Sequence, residues 1–333
     1  MAFQVAAARA AAERAGRPIE RIALSSSGNA AIAAAAYGRA AGLAVTAFVA
    51  PTTPPGKLRR LRAAGAIVVE SPNAIHDCAA WCAAHNVPNL RPSTDDAAVE
   101  GFLTLGWELV EALAGTHAAP PEALFTFVSS ATSLVGIGRA FERAGEVVAA
   151  VSALPALHAV QGAGCAPVAG PLDARPPVEG ARLGALGARK TRRLGEAVRH
   201  VRRAGGRGWS IGDDEADAAD ALLRRYGLAV AYEAAGAVAA AGRAAAEAGV
   251  RRAIVVVTGA DRDEAADRPG HAETGERHDR AAAADRPESA AAGNRPESGE
   301  HAEARGGVAT VDHADPSDGK GRAIAAVAMR PTR

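Results

Sequence analysis

The stretch RIALSSSGNAAIAAAAYGRAAGLAVTAFVAP, residues 21–51, decides the fold. It contains a short apolar run, a serine-rich turn, an alanine-rich segment from about Ala30 to Ala41 that Gly42 closes, and a second apolar run that ends at Pro51. The apolar runs predict buried strands, and the alanine-rich segment between them predicts a helix with a glycine stop. A strand, a helix and another buried strand in this order indicate a parallel βαβ unit.

The same alternation continues to about residue 261. KLRRLRAAG is typical of a helix, whereas AIVVE, LFTFVSS at 124–130 and AIVVVTG at 253–259 are typical of strands. Repeated βαβ units predict an α/β fold with mostly parallel sheets and helices on both faces, which we divide into two three-layer domains at residues 1–112 and 113–261. A closed eight-stranded barrel is the alternative on the pattern alone, but the strand count is irregular for one.

The composition changes abruptly at about Arg262. From there to the end the chain has no Leu, Phe, Tyr or Trp, and it contains the near-repeat DRPES at 285–289 and NRPES at 294–298. Such a stretch cannot bury enough apolar surface to offset the entropy of ordering, so we predict a disordered tail over residues 262–333, with a short helical turn at AIAAVAMR. A shifted reading frame would give the same composition.

Charge and composition exclude several classes of protein. A net charge of +1 argues against binding to polyanions over the whole surface, and the long apolar runs are too diluted by alanine and too often broken by Arg or Gly to span a membrane. The start of the chain lacks the pattern of a secretory signal, and three cysteines are too few for a disulfide framework. We therefore expect a cytoplasmic protein that binds neither nucleic acid nor membrane.

Two smaller clusters have alternative interpretations. Cys78 and Cys82, with His76 and His85 nearby, could form a metal site, but no second ligand pair follows, so we predict a buried cysteine pair and no metal. The arginine-rich segment 188–208 has an apolar stripe and no interleaved aromatic residue, which favours a solvated helix face over nucleic-acid binding.

Ligands of open parallel sheets lie at the carboxyl ends of the strands, where three polar loops are expected: residues 25–29, 129–133 and 258–259. SSSGN joins a strand to the start of a helix, where unpaired N–H groups and the helix dipole favour a carboxylate or a phosphate. A serine-rich helix cap with no ligand is the alternative.

Several segments, taken in order, resemble the threonine synthase-like branch of the fold-type-II pyridoxal-phosphate enzymes, the tryptophan synthase β superfamily. They are SSSGNAAIAAAAYGRAAGLAVTAFVAP with GKLRRLRAAGAIVVE, then VEGFLTLGWELVEAL, which is similar to the family's EG-x-x-T-x-x-x-E helix, and LHAVQGAGCAP, AVAYEAAGAVAAA and IVVVTG. The resemblance covers residues 1 to about 261. It implies pyridoxal 5'-phosphate as cofactor, two tryptophan synthase β-like domains and a possible homodimer.

The resemblance also implies roles for individual residues. Asn29 would contact the ring hydroxyl of the cofactor, Ser26, Ser27 and Gly28 would hold the substrate carboxylate, and Thr258 would lie near the pyridine nitrogen. The phosphate would lie on Ser129, Ser130, Ala131, Thr132 and Ser133. The implied reaction is a lyase-type β- or γ-elimination or replacement on a small hydroxy amino acid or its activated ester, a step of amino-acid metabolism.

Three departures from the family pattern weaken the expectation of activity. The family's S-x-K-D-R-G lysine, which anchors the cofactor, would fall just before Met1, and we expect none of Lys57, Lys190 and Lys320 to replace it. SSATS stands where the family has G-x-G-G-T, so added Cβ atoms are expected to crowd the phosphate, and Asp261 stands where T-G-x-G has its last glycine.

These departures predict a truncated or diverged, weak or inactive member with no assignable catalytic residue. One alternative is a non-catalytic homologue that binds a ligand or partner through the cleft that holds the cofactor in the family. The other is an unrelated nucleotide-binding α/β protein.

Overall fold

The computed structural model describes residues 1–114, 119–147, 154–173, 175, 182–183 and 188–259, together with the segments 308–313 and 322–328. In chain order the elements are α1 Ala2–Arg14, β1 Arg21–Ser25, α2 Asn29–Ala40, β2 Ala44–Val49, α3 Pro55–Ala63, β3 Ile67–Glu70, α4 Ala74–His85, α5 Ala97–Ala114, β4 Ala123–Phe127, α6 Thr132–Val147, β5 Ala156–Gly162, a 3₁₀ turn Gly170–Leu172, α7 Leu194–Arg203, β6 Gly208–Ile211, α8 Asp213–Arg225, α9 Tyr232–Ala248, β7 Arg252–Val257, β8 Val308–His313 and β9 Arg322–Ala328.

The first sheet has the strand order β1-β2-β3, and all three strands are parallel. Successive side chains of β1 point to opposite faces, as the period of two requires. Ile22 and Leu24 pack into one core with α2, whereas Ala23 packs with Phe48 and Cys78 of α4 into another core on the opposite face. The quoted βαβ stretch thus folds as predicted, with helices on both faces of its sheet.

The second sheet has the order β6-β5-β4-β7-β9-β8, in which only β8 is antiparallel to its neighbour. Leu124 and Val256 belong to the core that contacts α5, α6 and α7, and Phe125 and Val255 belong to the core that contacts α8 and α9. The predicted α/β class, with two mostly parallel sheets covered by helices, is confirmed.

The pattern of LAVAY, residues 228–232, predicts a short strand, but this prediction is wrong, because helix α9 already begins at Tyr232. GWSI at Gly208–Ile211, for which the pattern predicts no strand, forms β6 beside β5. Both segments are too short for their side-chain pattern to distinguish a strand from a loop. Pairing with a neighbouring strand determines which of them joins the sheet. The division of the chain at residue 112 stays a prediction; residues of α5 share one core with α6 and β4.

The structure also corrects the predicted disordered tail for two of its segments. β9 pairs in parallel with the whole length of β7, and β8 pairs with β9. The expected helical turn at AIAAVAMR is wrong, because the open edge of β7 offers unpaired backbone groups that an alanine-rich strand can satisfy without large side chains. The rest of residues 262–333 lies outside the described residues.

Helices α5 and α6 approach each other closely at two glycines. A Cβ added to Gly106 would lie 2.3 Å from Ala140 Cβ, and one added to Gly136 would lie 2.5 Å from Phe102 Cβ and 2.9 Å from the Val99 carbonyl oxygen. The helix backbones therefore touch where no side chain fits, and this contact fixes the position of α6 and of the loop before it.

We expect Gly136→Ala to lower the free energy of unfolding by about 2 kcal/mol, because overpacking of a tight core typically costs roughly 1–3 kcal/mol. Gly145 lies in the same helix, with nothing within 4 Å of an added Cβ. As the matched control, Gly145→Ala should raise the stability by about 0.5–1 kcal/mol through the better helix propensity of alanine. Urea denaturation measures both; equal stabilities of the two variants would contradict the close contact.

His158 on β5 is a buried histidine that remains neutral. Its ring stacks on Phe125 with centroids 4.6 Å apart, and Nδ1 accepts hydrogen bonds from Trp209 Nε1 at 3.0 Å and the Arg207 amide at 3.2 Å. Burial lowers the pKa of His158 from 6.5 to about 4. Protonation would also place a proton on a nitrogen that already faces two donors.

Because the folded pKa lies below the unfolded one, the unfolded chain binds the extra proton between about pH 4 and 6.5. Stability should therefore fall as the pH drops through this window, by as much as about 3 kcal/mol from this group. His158→Asn keeps an acceptor near Nδ1 but does not titrate, so urea midpoints between pH 4 and 7 should change less in the variant. An unchanged pH profile would refute the assignment.

Candidate functional site

The first polar loop, residues 25–29, follows β1 and leads into α2. Gly28 is the N-cap of α2 in an extended conformation, its amide donates to Ser26 Oγ at 3.3 Å, and nothing lies within 4 Å of a Cβ added to it. Ser26, Ser27 and Gly28 are half-buried and Asn29 is exposed. The loop thus presents a helix N-terminus with hydroxyls on an open surface, as an anion site requires.

The second polar loop, residues 129–133, follows β4 and leads into α6. Ala131 has a φ of +62° and is 1% exposed, and Thr132 is buried and donates from Oγ1 to the Pro92 carbonyl at 3.2 Å. Ser130 Oγ lies 2.9 Å from Thr132 Oγ1. Because the side chains of Ala131 and Thr132 are directed into the protein, the expected crowding by their Cβ atoms does not arise, and Ser129 and Ser130 are left on the more open side.

The backbone of this second loop is suited to an anion. Among the described residues, the amides of Ser129, Ser130, Ala131, Thr132 and Ser133 have no hydrogen-bond acceptor. A left-handed residue next to a helix start turns successive N–H groups toward one point, the arrangement of an anion-binding nest. The loop therefore fits a phosphate group through its main chain even though it contains no glycine.

Residues 188–193, which we call the strap, cross this loop just before α7. The Ala188 amide donates to Ser129 Oγ at 3.2 Å, and Thr191 Oγ1 donates to the Ser130 carbonyl at 2.8 Å. Lys190, which belongs to the arginine-rich segment, is an exposed residue of the strap, and its neighbour Thr191 contacts the second polar loop. No sequence motif marks Thr191, since a single threonine among arginines gives no signal.

Arg193 ends the strap and is only 3% exposed. Its guanidinium donates to Asp96 Oδ1 at 2.8 Å and to the Asp95 carbonyl at 2.8 Å. The predicted solvated basic face is therefore wrong for Arg193, whereas Arg199 and Arg203 of α7 have exposed side chains as predicted. The pKa of Asp96 is held low, mainly by its hydrogen bond with Arg193, so the carboxylate stays ionised.

Residues 89–96, the connecting segment, bring the two loops together. Asn89 forms a parallel bridge with Ala23 of β1, so Pro92 lies toward the carboxyl end of β1, where Ser26 follows. The Pro92 carbonyl accepts the hydrogen bond of Thr132 from the other loop. The connecting segment therefore links β1, which leads into the first loop, with the second loop, as expected for loops at the carboxyl edges of parallel sheets.

The third predicted loop follows β7. Thr258 and Gly259 are half-buried, and the Gly259 carbonyl accepts a hydrogen bond from the Ala231 amide at 3.1 Å, next to the start of α9. Gly259 has a φ of +124°, which favours glycine. The neighbouring Asp261 and the third lysine, Lys320, lie outside the described residues.

The other candidate groups of the described residues lie in positions that suit a structural role. Cys78 and Cys82 are buried together on α4, and burial raises the pKa of Cys78 to about 12, which makes it a poor nucleophile and metal ligand. The described part of the chain holds no cluster of three or more metal-ligating side chains. None of its helices combines the length and the hydropathy needed to cross a bilayer.

Comparisons with known proteins agree with this architecture. Solved structures with similar folds include O-ureido-L-serine synthase, 18% identical with a TM-score of 0.58 over 74% of this chain and 75% of that one. Threonine deaminase isoform 2 from Solanum lycopersicum is 18% identical, with a TM-score of 0.60 over 79% and 76%. Serine racemase from Dictyostelium discoideum is 16% identical, with a TM-score of 0.59 over 74% and 77%.

No curated protein matches the sequence. A family model described as "Pyridoxal-phosphate dependent enzyme" matches residues 1–259, the range that holds α1 to α9, β1 to β7 and the three predicted polar loops. The chain therefore belongs to the family of pyridoxal-phosphate-dependent enzymes.

Proposed function

We propose that this chain binds pyridoxal 5'-phosphate in the cleft between its two sheets and acts on a small amino acid, by a threonine synthase-like β- or γ-elimination or replacement. The observation that carries the proposal is the pair of anion-binding loops on either side of the connecting segment. One loop suits a phosphate and the other a carboxylate, the two anions that such a cofactor and substrate would bring. The synthase, deaminase and racemase names of the similar structures support amino-acid chemistry in general.

In this proposal the main chain of the second loop holds the cofactor phosphate. Its amides and the start of α6 supply positive potential. Thr258 would lie at the ring nitrogen and Asn29 at the ring hydroxyl. When bound, the cofactor supplies an electron sink that makes the bond to the α-hydrogen of an amino acid easier to break.

The first loop would orient the substrate. A carboxylate at the start of α2 would accept hydrogen bonds from the hydroxyls of Ser26 and Ser27 and from main-chain amides of the loop. Hydroxyl groups suit a small polar substrate, because they pair with its oxygens without adding bulk. The substrate's reacting carbon would then lie between this loop and the loop that holds the phosphate.

A second candidate function is a non-catalytic homologue that binds a ligand through the same cleft. The placement of the lysines favours it: Lys57 belongs to α3 beside the first sheet, and Lys190 lies exposed on the strap rather than at the end of a strand. Neither stands in the S-x-K-D-R-G context that the family uses for its anchor. Covalent attachment of the cofactor separates the two candidates.

We expect Ser130→Asp to weaken the binding of pyridoxal 5'-phosphate to the full chain by at least about tenfold. Two unit charges about 4 Å apart repel by roughly 1–4 kcal/mol near a protein surface, and each 1.4 kcal/mol is about tenfold in affinity. Thr104→Asp makes the same change in charge at an exposed position of α5 and should leave the affinity unchanged. Calorimetric titration measures both, and equal affinities would place the cofactor elsewhere.

Reduction with borohydride and turnover assays then decide between the candidates. An enzyme should retain a covalently trapped cofactor after reduction and should convert L-serine, L-threonine or one of their O-phospho or O-acetyl esters. A protein that binds the cofactor but shows neither trapping nor turnover is the non-catalytic homologue. A protein that binds no cofactor would contradict both forms of the proposal.

A further inference from the structure

Ala131 occupies a backbone conformation that glycine normally takes. Its φ of +62° lies in the left-handed region, where the Cβ of an L-residue crowds the following carbonyl. The family pattern G-x-G-G-T, which SSATS resembles, has a glycine at this position. Something in the chain must therefore hold Ala131 in the conformation that a glycine would adopt freely.

The strap supplies that restraint. Thr191 Oγ1 donates to the Ser130 carbonyl at 2.8 Å, and the Ala188 amide donates to Ser129 Oγ at 3.2 Å. Thr191 is braced in turn, because Oγ1 also accepts the Arg193 amide at 3.1 Å and the Arg193 guanidinium is fixed by the Asp95 carbonyl. The hydroxyl of Thr191 thus donates to the Ser130 carbonyl and accepts from the Arg193 amide, and these two hydrogen bonds fix its position.

The bond from Thr191 determines where the next amide points. The Ser130 carbonyl and the Ala131 N–H belong to one planar trans peptide, in which the two groups point in opposite directions. With the carbonyl turned toward Thr191, the Ala131 N–H is turned away from the strap. Among the described residues this amide has no acceptor, and it belongs to the anion-binding nest.

We propose that Thr191 is a positioning residue for phosphate binding, which holds the Ser130–Ala131 peptide in the orientation that the anion needs. A hydrogen bond from the strap thereby replaces the conformational freedom of the glycine in the family's loop. This role rests on the proposed function, because it concerns the same phosphate site. It assigns a function to a residue that no motif of the sequence identifies.

The test combines substitutions at Thr191 and Ala131 in the full chain, with inorganic phosphate and pyridoxal 5'-phosphate as probes in calorimetric titrations. Thr191→Val keeps the shape but loses the donor, and it should raise the dissociation constants of both probes about five- to tenfold, the effect of one hydrogen bond. Thr191→Ser keeps the hydroxyl and should bind almost as the unchanged protein does. In an Ala131→Gly background, Thr191→Val should change the affinity by less than about twofold, because glycine adopts the left-handed conformation unaided.

Thr104→Val is the matched control. Thr104 Oγ1 also donates to a backbone carbonyl at 2.8 Å, that of Gly101 in its own helix. Removing this bond should lower the unfolding midpoint slightly and leave phosphate affinity unchanged. Two results would overturn the role of Thr191 but leave the proposed function standing. One is an unaltered phosphate affinity in Thr191→Val; the other is a loss of affinity on Thr191→Val that is equally large in the Ala131→Gly background. Absence of binding by the unchanged protein would overturn the proposed function together with it.

Discussion

The hydrogen bond from Thr132 to the Pro92 carbonyl is the interaction on which the site depends. It fastens the start of α6 to the connecting segment, and the bridge between Asn89 and Ala23 fastens that segment to β1. The strand that leads into the first loop and the second loop itself, about a hundred residues apart in the chain, are thereby attached to the same segment. Arg193 strengthens the junction, since its buried guanidinium donates to the carbonyls of Pro92 and Asp95 and to the carboxylate of Asp96.

The same junction explains how a loop without glycine can keep the geometry of an anion site. The family's glycines let the main chain approach a phosphate, and added side chains would normally prevent this. Here the chain buries the Ala131 and Thr132 side chains instead, so their Cβ atoms lie on the protein side of the loop. The site is thus altered in composition while its main-chain donors remain available.

Much of this arrangement could be predicted from the sequence, because apolar runs and helix stops are local signals. They located β1, α2 and β2, and they placed the polar loops at residues 25–29 and 129–133 after strands. The strap could not be predicted, since Thr191 finds its partner 61 residues away and nothing near it in the chain marks the contact. The strands β8 and β9 were missed for a related reason: their pairing uses backbone groups at the edge of β7, which composition does not reveal.

The central claim is that the main chain of residues 129–133 holds the phosphate of the cofactor. Calorimetric titration of the full chain with pyridoxal 5'-phosphate and with pyridoxal, which lacks the phosphate, tests it most directly. We expect the phosphorylated form to bind at least about a hundredfold more tightly, since two or more hydrogen bonds to a charged group contribute roughly 3 kcal/mol or more. Equal affinities for the two compounds would contradict it.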